Sequence, residues 1–148
     1  MQNLNTQSVI KAAAIGAGIN VFVGLLRLLE LIPGIGDVLA VLNFVLFCCG
    51  GLLIPILTGA LYGYFTPGKE TLGQSALGGA VSGIVAGLIY GVVNSIVTAG
   101  VIAWNSGDIA DALASSAGTL IGSCCGAFIG GAILGAIGGA IWTAVQKD

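Results

Sequence analysis

Polar residues fall in short clusters, and between them the chain is almost unbroken apolar. The apolar runs reach from about 8 to 29, 38 to 65, 72 to 103 and 109 to 145. A helix needs roughly 20 mostly apolar residues to cross the hydrocarbon core of a bilayer, and each run meets that length. The last two exceed it, and tilt or the interface takes up the excess. The separators read as stops. Pro33, Gly34 and Gly36 break the chain after the first run, Pro67 and Gly68 after the second, and Ser106, Gly107 and Asp108 before the fourth. Asp37 and Asp108 stand where an acceptor caps the start of a helix. The pattern predicts an all-α integral membrane four-helix bundle, with residues 1–148 as a single transmembrane domain.

Inside the runs, small residues recur every fourth position, which places them on one helix face. The fourth run carries Gly118, Gly122, Gly126 and Gly130, then Gly131, Gly135 and Gly139 on an adjoining row. The third carries Gly79, Gly83, Gly87 and Gly91. The second carries Gly51, Gly59 and Gly63, with Pro55 in the missing place, and the first carries Gly16 and Gly24 with Asn20 between them. Lipid tails are as apolar as leucine, so helices in a membrane associate through close packing, and small residues permit it. The rows therefore predict close helix contacts, within the chain or between copies. Pro55 removes a backbone donor and is expected to bend its helix.

The chain also aligns with itself. "FCCGGLLIPILTGALYGYF" lies on "SCCGAFIGGAILGAIGGAI" without gaps, matching Cys48, Cys49 and Gly50 to Cys124, Cys125 and Gly126. Gly59 then falls on Gly135 and Gly63 on Gly139. Asn20 and Asn94 sit at a similar offset. This reads as a tandem duplication of a two-helix hairpin, with units of about 8–66 and 72–145, related by an approximate twofold axis along the membrane normal.

Composition narrows the function. Charged residues make up 7% of the chain, and the mean hydropathy is +1.09. Soluble domains carry about 25% charged residues, so lipid is the natural solvent for this surface. With four basic residues and a net charge of −2, there is no patch to neutralise a nucleic acid. The N-terminus lacks the charged and apolar regions of a cleaved signal, so the first run reads as a retained span. Lys11, Lys69 and Lys147 fall on one side of a four-span topology, and Arg27 on the other. The positive-inside tendency then puts both termini in the cytoplasm.

Candidate chemistry is sparse. Histidine is absent, which removes the commonest metal ligand and general base. Arg27 and Glu30 are spaced to pair on one helix face at the end of the first span. Asn20 and Asn94 lie at mid-span depth, where they serve either as interhelical hydrogen-bond donors or as the polar lining of a substrate path. Adjacent cysteines on a helix point about 100° apart, so neither pair readily holds one ion. They read as small packing residues. No catalytic motif, metal site or cofactor is predicted, and no enzymatic activity.

The glycine rows within "GGLLIPILTGALYGYFTPGKETLGQSALGGAVSGIVAGLIYG" and "GAFIGGAILGAIGGA" resemble those of small four-span, GxxxG-rich prokaryotic membrane proteins of unknown function. Span count and rows are also similar to the mitochondrial inner-membrane translocase channel family. The first resemblance implies a prokaryotic cell membrane and no assigned activity. Two functions fit these observations. A structural or assembly subunit would use its glycine faces against a larger complex or against further copies, with membrane lipids and other transmembrane helices as partners. A small transporter, channel or holin-like pore would use the duplicated hairpin and the asparagines.

Overall fold

A computed structural model describes residues 4–26, 28, 36–66 and 70–146, the stretch 36–50 as backbone helix only. Every element among the described residues is helical: α1 (Thr6–Leu26), α2 (Gly36–Phe65), α3 (Leu72–Ser106) and α4 (Ile109–Val145). The four-helix, all-α architecture read from the apolar runs is the observed one. α1, α3 and α4 are each long and apolar enough to cross a membrane, and the described part of α2, Gly51–Phe65, is apolar as well. α2 continues as a helix through Pro55. α4 is α-helical over Ile109–Gly126, widens into a π-helical turn at Ala127–Gly131, and is α-helical again over Ala132–Val145.

Local chemistry sets the ends. Thr71 caps α3: its hydroxyl accepts from the Gln74 N–H at 3.4 Å, and the Gln74 side chain accepts from the Thr71 N–H at 3.0 Å. This reciprocal pairing satisfies two N–H groups left over at the helix start. α3 ends on Gly107, whose φ of 69° lies in the left-handed region that a side chain disfavours. One residue later Asp108 caps α4, its Oδ1 accepting from the N–H groups of Ala110 (2.8 Å) and Asp111 (3.4 Å).

α3 is the hub and packs against all three other helices. α2 also packs against α1 and against the second half of α4. Among the described residues α1 and α4 do not meet. Two bonds fix the ends relative to one another. The Ser8 hydroxyl donates to the Phe65 carbonyl at 3.0 Å, tying the start of α1 to the end of α2. The Ser75 hydroxyl donates to the Gly139 carbonyl at 2.9 Å, tying the start of α3 to the end of α4. The start of α1 and the end of α4 therefore lie at one end of the bundle, and Asp108 at the other.

The interior is small and partly polar, and the periphery is large and apolar. Ser82 is fully buried and Ser75 is 1% exposed, whereas Phe22 is 64% and Ile121 67% exposed. Among the described residues Tyr62 is the largest fully buried side chain, followed by Thr58, Ser8, Ser75 and Ser82. The buried Thr58 and Ser95 hydroxyls donate to carbonyls one turn back, Thr58 to Ile54 (2.7 Å) and Ser95 to Gly91 (2.8 Å). In water this distribution would expose most of the apolar surface and bury hydroxyls. In lipid, exposed isoleucine and phenylalanine carry no penalty, and small residues let the backbones approach. The apolar helices are consistent with a membrane protein, three of them being long and apolar enough to cross a bilayer.

Candidate functional site: a mid-depth cavity walled by glycine

The site is bounded by the contact between α3 and α4. The two helices run antiparallel, and their small residues meet in register: Ser75 with Gly139, Gly79 with Gly135, Gly83 with Gly131, Gly87 with Ala127 and Gly91 with Ser123. A β-carbon on Gly79 or Gly83 would collide with the carbonyl opposite. The facing row on α4 advances by four residues at each step. In an α-helix of 3.6 residues per turn such a row drifts by about 40° per step. The π-helical turn at Ala127–Gly131 holds more residues per turn and offsets part of that drift. It lies in the middle of the row, so Ser123 and Gly139 can both face α3.

The remaining glycine row of α4, one residue out of phase, points about 100° away. A β-carbon on Gly118, Gly122, Gly126 or Gly130 would meet no described atom within 4 Å. Gly122, Gly126 and Gly130 instead line a cavity of about 360 Å³. α1 supplies Asn20 and Val23 to its wall, α2 supplies Gly51, Ile54 and Pro55, and α3 supplies Gly87 and Tyr90. Gly87 and Tyr90 flank the midpoint of α3, and the π-helical turn is the midpoint of α4, so the cavity lies at mid-depth. It sits where α4 departs from regular α geometry and where α2 carries its proline. Pro55 has no N–H to give the Gly51 carbonyl, and both residues face the cavity across from the π turn.

The polar groups of the wall are few and uncharged. Asn20 is 7% exposed, and its amide donates to the Ala86 carbonyl at 3.4 Å. Its Oδ1 and the Ser123 hydroxyl have no partner among the described residues, whereas Tyr90 is partnered. No charged side chain lines the cavity among the described residues. Asn94 is also buried and partnered, but it lies one turn beyond Tyr90 and outside the wall.

The other positions singled out by the sequence distribute as follows. Gly16 packs on Thr58 and Ala86, Gly24 touches Val93, Gly59 faces Gly135, and Gly63 lies under the Trp142 ring. Gly51 meets no described atom within 4 Å. Arg27 and Glu30 lie outside the described residues, as do the side chains of Asp37, Cys48 and Cys49. Cys124 and Cys125 are free thiols, the second exposed. Among the described residues no cluster of histidine, cysteine or acidic side chains is arranged to hold a metal ion.

Sequence reasoning did not single out Tyr90, Ser123 or Gly138, the last facing the Ile56 carbonyl. Ser123 was in principle legible, being in phase with Gly131, Gly135 and Gly139. Tyr90 carries no such signal. Nor did it find the Tyr62 hydroxyl donating to Glu70 Oε1 at 3.0 Å across the turn between α2 and α3.

Compared with known proteins, the chain matches no family model, no curated protein and no solved structure.

Proposed function

We propose that this chain is a non-enzymatic integral membrane protein of the small transporter or pore type, in which a neutral solute occupies the cavity between the four helices. One observation carries this reading. The glycine row Gly122, Gly126 and Gly130 walls a mid-depth cavity and meets no described atom of a neighbouring helix. Irregular helix at membrane depth is tolerated where it is buried in protein or lines a cavity, and solute sites of membrane carriers are built there. The chain has no histidine, and no described residue of the wall is charged, which favours a solute site over acid–base chemistry. Reconstitution into liposomes tests it. Wild type is expected to pass small neutral solutes, and Gly126→Leu, which fills the cavity, to stop that flux. Absence of flux for every neutral solute tried overturns the transport reading.

A structural or assembly subunit is the second reading. Between Ile109 and Gly126 only Ala112 is buried, so the first half of α4 is open to another transmembrane helix. The glycine-zipper character supports both readings, but most of its rows face helices of the same chain. The tandem-hairpin reading is supported by Gly59 facing Gly135, which the self-alignment makes equivalent. The twofold is not carried through, because α3 packs on α2 while α1 does not pack on α4 among the described residues. A prokaryotic cell membrane with both termini cytoplasmic completes the proposal.

A further inference from the structure

The cavity wall carries a chemical preference. Among the described residues the wall offers a charged ligand no counter-ion, and a charge at mid-depth is costly even on translocon scales, by about 2.5 to 3.5 kcal/mol. Most of the wall is glycine, valine, isoleucine, proline and alanine, which suits an apolar body. Against that background Asn20 stands out. It is more than nine-tenths buried, its nitrogen is engaged by Ala86, and its Oδ1 accepts from no described group. Asn20 lines the cavity, so a ligand that brings a donor gains a hydrogen bond at Oδ1 that one without a donor does not. The Ser123 hydroxyl, also without a described partner, stands on α4 and can donate or accept.

We infer that the cavity binds a neutral, mainly apolar molecule bearing one hydroxyl or N–H donor, with Asn20 Oδ1 as its acceptor. The inference rests on the reading of the cavity as a solute site and names the class of solute. It does not require that the solute cross the membrane. Water alone would satisfy the oxygen but leave the apolar wall wetted, whereas an amphipathic ligand satisfies both.

Three probes of matched shape separate the possibilities: 1-naphthol carries the donor, naphthalene lacks it, and 1-naphthoate is an anion. Binding is read by saturation-transfer NMR on the full chain in lipid nanodiscs, with empty discs as the partition control. The expected order is 1-naphthol first, naphthalene weaker by about threefold to thirtyfold, the worth of one hydrogen bond in lipid, and no specific signal from 1-naphthoate. Gly126→Leu is expected to abolish the specific signal. Asn20→Leu is expected to equalise 1-naphthol and naphthalene. Because Asn20 also holds Ala86, Ser123→Ala provides a second variant, expected to keep the preference for 1-naphthol. Equal signals from wild type and Gly126→Leu, or a preference for 1-naphthoate, overturn the inference. Binding in this order without liposome flux leaves it standing and overturns only the transport reading. Flux with no preference for 1-naphthol does the reverse.

Discussion

Gly79 and Gly135 stand back to back where α3 crosses α4, and a β-carbon on either would collide with the carbonyl of the other. The same α4 glycine also meets α2, since a β-carbon on Gly59 would strike the Gly135 carbonyl. Three helices therefore close on one residue that has no side chain. The bundle's geometry follows from that economy of volume: small residues inside, large apolar ones at the periphery, and a cavity where a row of glycines meets no described neighbour.

Ser75 fastens this junction at one end through its 2.9 Å bond to the Gly139 carbonyl. Ser75→Ala removes the bond and little volume. The expected loss is about 0.6 to 2 kcal/mol, the range for interhelical hydrogen bonds in membranes. It should appear as a lower apparent Tm in detergent, and Ser75→Thr should not restore it fully because the site is closely packed. A Ser75→Ala chain as stable as wild type would show that the bond contributes nothing.

Tyr62 is fully buried at the same end, with its ring against Gly78 and its hydroxyl on Glu70. Tyr62→Phe keeps the ring and leaves that carboxyl oxygen without its donor, for an expected cost of about 1 to 3 kcal/mol. Tyr62→Phe should cost as much as Glu70→Ala and Tyr62→Phe combined if the two act as a pair. Additive losses in that double-mutant cycle contradict the pairing.

Asp108→Ala should act locally. Loss of an N-cap typically costs about 0.5 to 2 kcal/mol, and in the first turn of α4 only Ala112 is buried to oppose fraying. Hydrogen exchange is expected to quicken over Ile109–Ala112 while α3 is unchanged. Uniform exchange across both helices would mean that Asp108 does not hold the helix start.

The helices were legible in the sequence because nothing but length and apolarity decides them. The runs bounded by Pro33, Pro67 and Gly107 correspond to the observed elements. That small residues set the contacts was legible from the fourfold spacing of Gly79, Gly83, Gly87 and Gly91. Which α4 row would make contact was not. Gly118, Gly122, Gly126 and Gly130 form the longer uninterrupted row, yet the row through Ser123, Ala127 and Gly131 faces α3. The choice depends on the π turn, whose backbone widening leaves no residue signature in "AFIGG". The cavity follows from that choice, so neither Tyr90 nor the orientation of Asn20 was readable beforehand.

The most direct test of the account is a glycine-to-alanine scan, read as apparent Tm in one detergent. Gly59, Gly79, Gly83, Gly135, Gly138 and Gly139 each face a carbonyl within the bundle, whereas Gly18, Gly51, Gly73, Gly100, Gly118 and Gly122 meet no described atom within 4 Å. A methyl group in the first set overpacks the helix contacts, which typically costs about 1 to 3 kcal/mol. In the second set it adds helix propensity worth up to about 1 kcal/mol in water. A lower Tm is expected for every member of the first set and an unchanged or higher Tm for the second. Two sets that respond alike would contradict it.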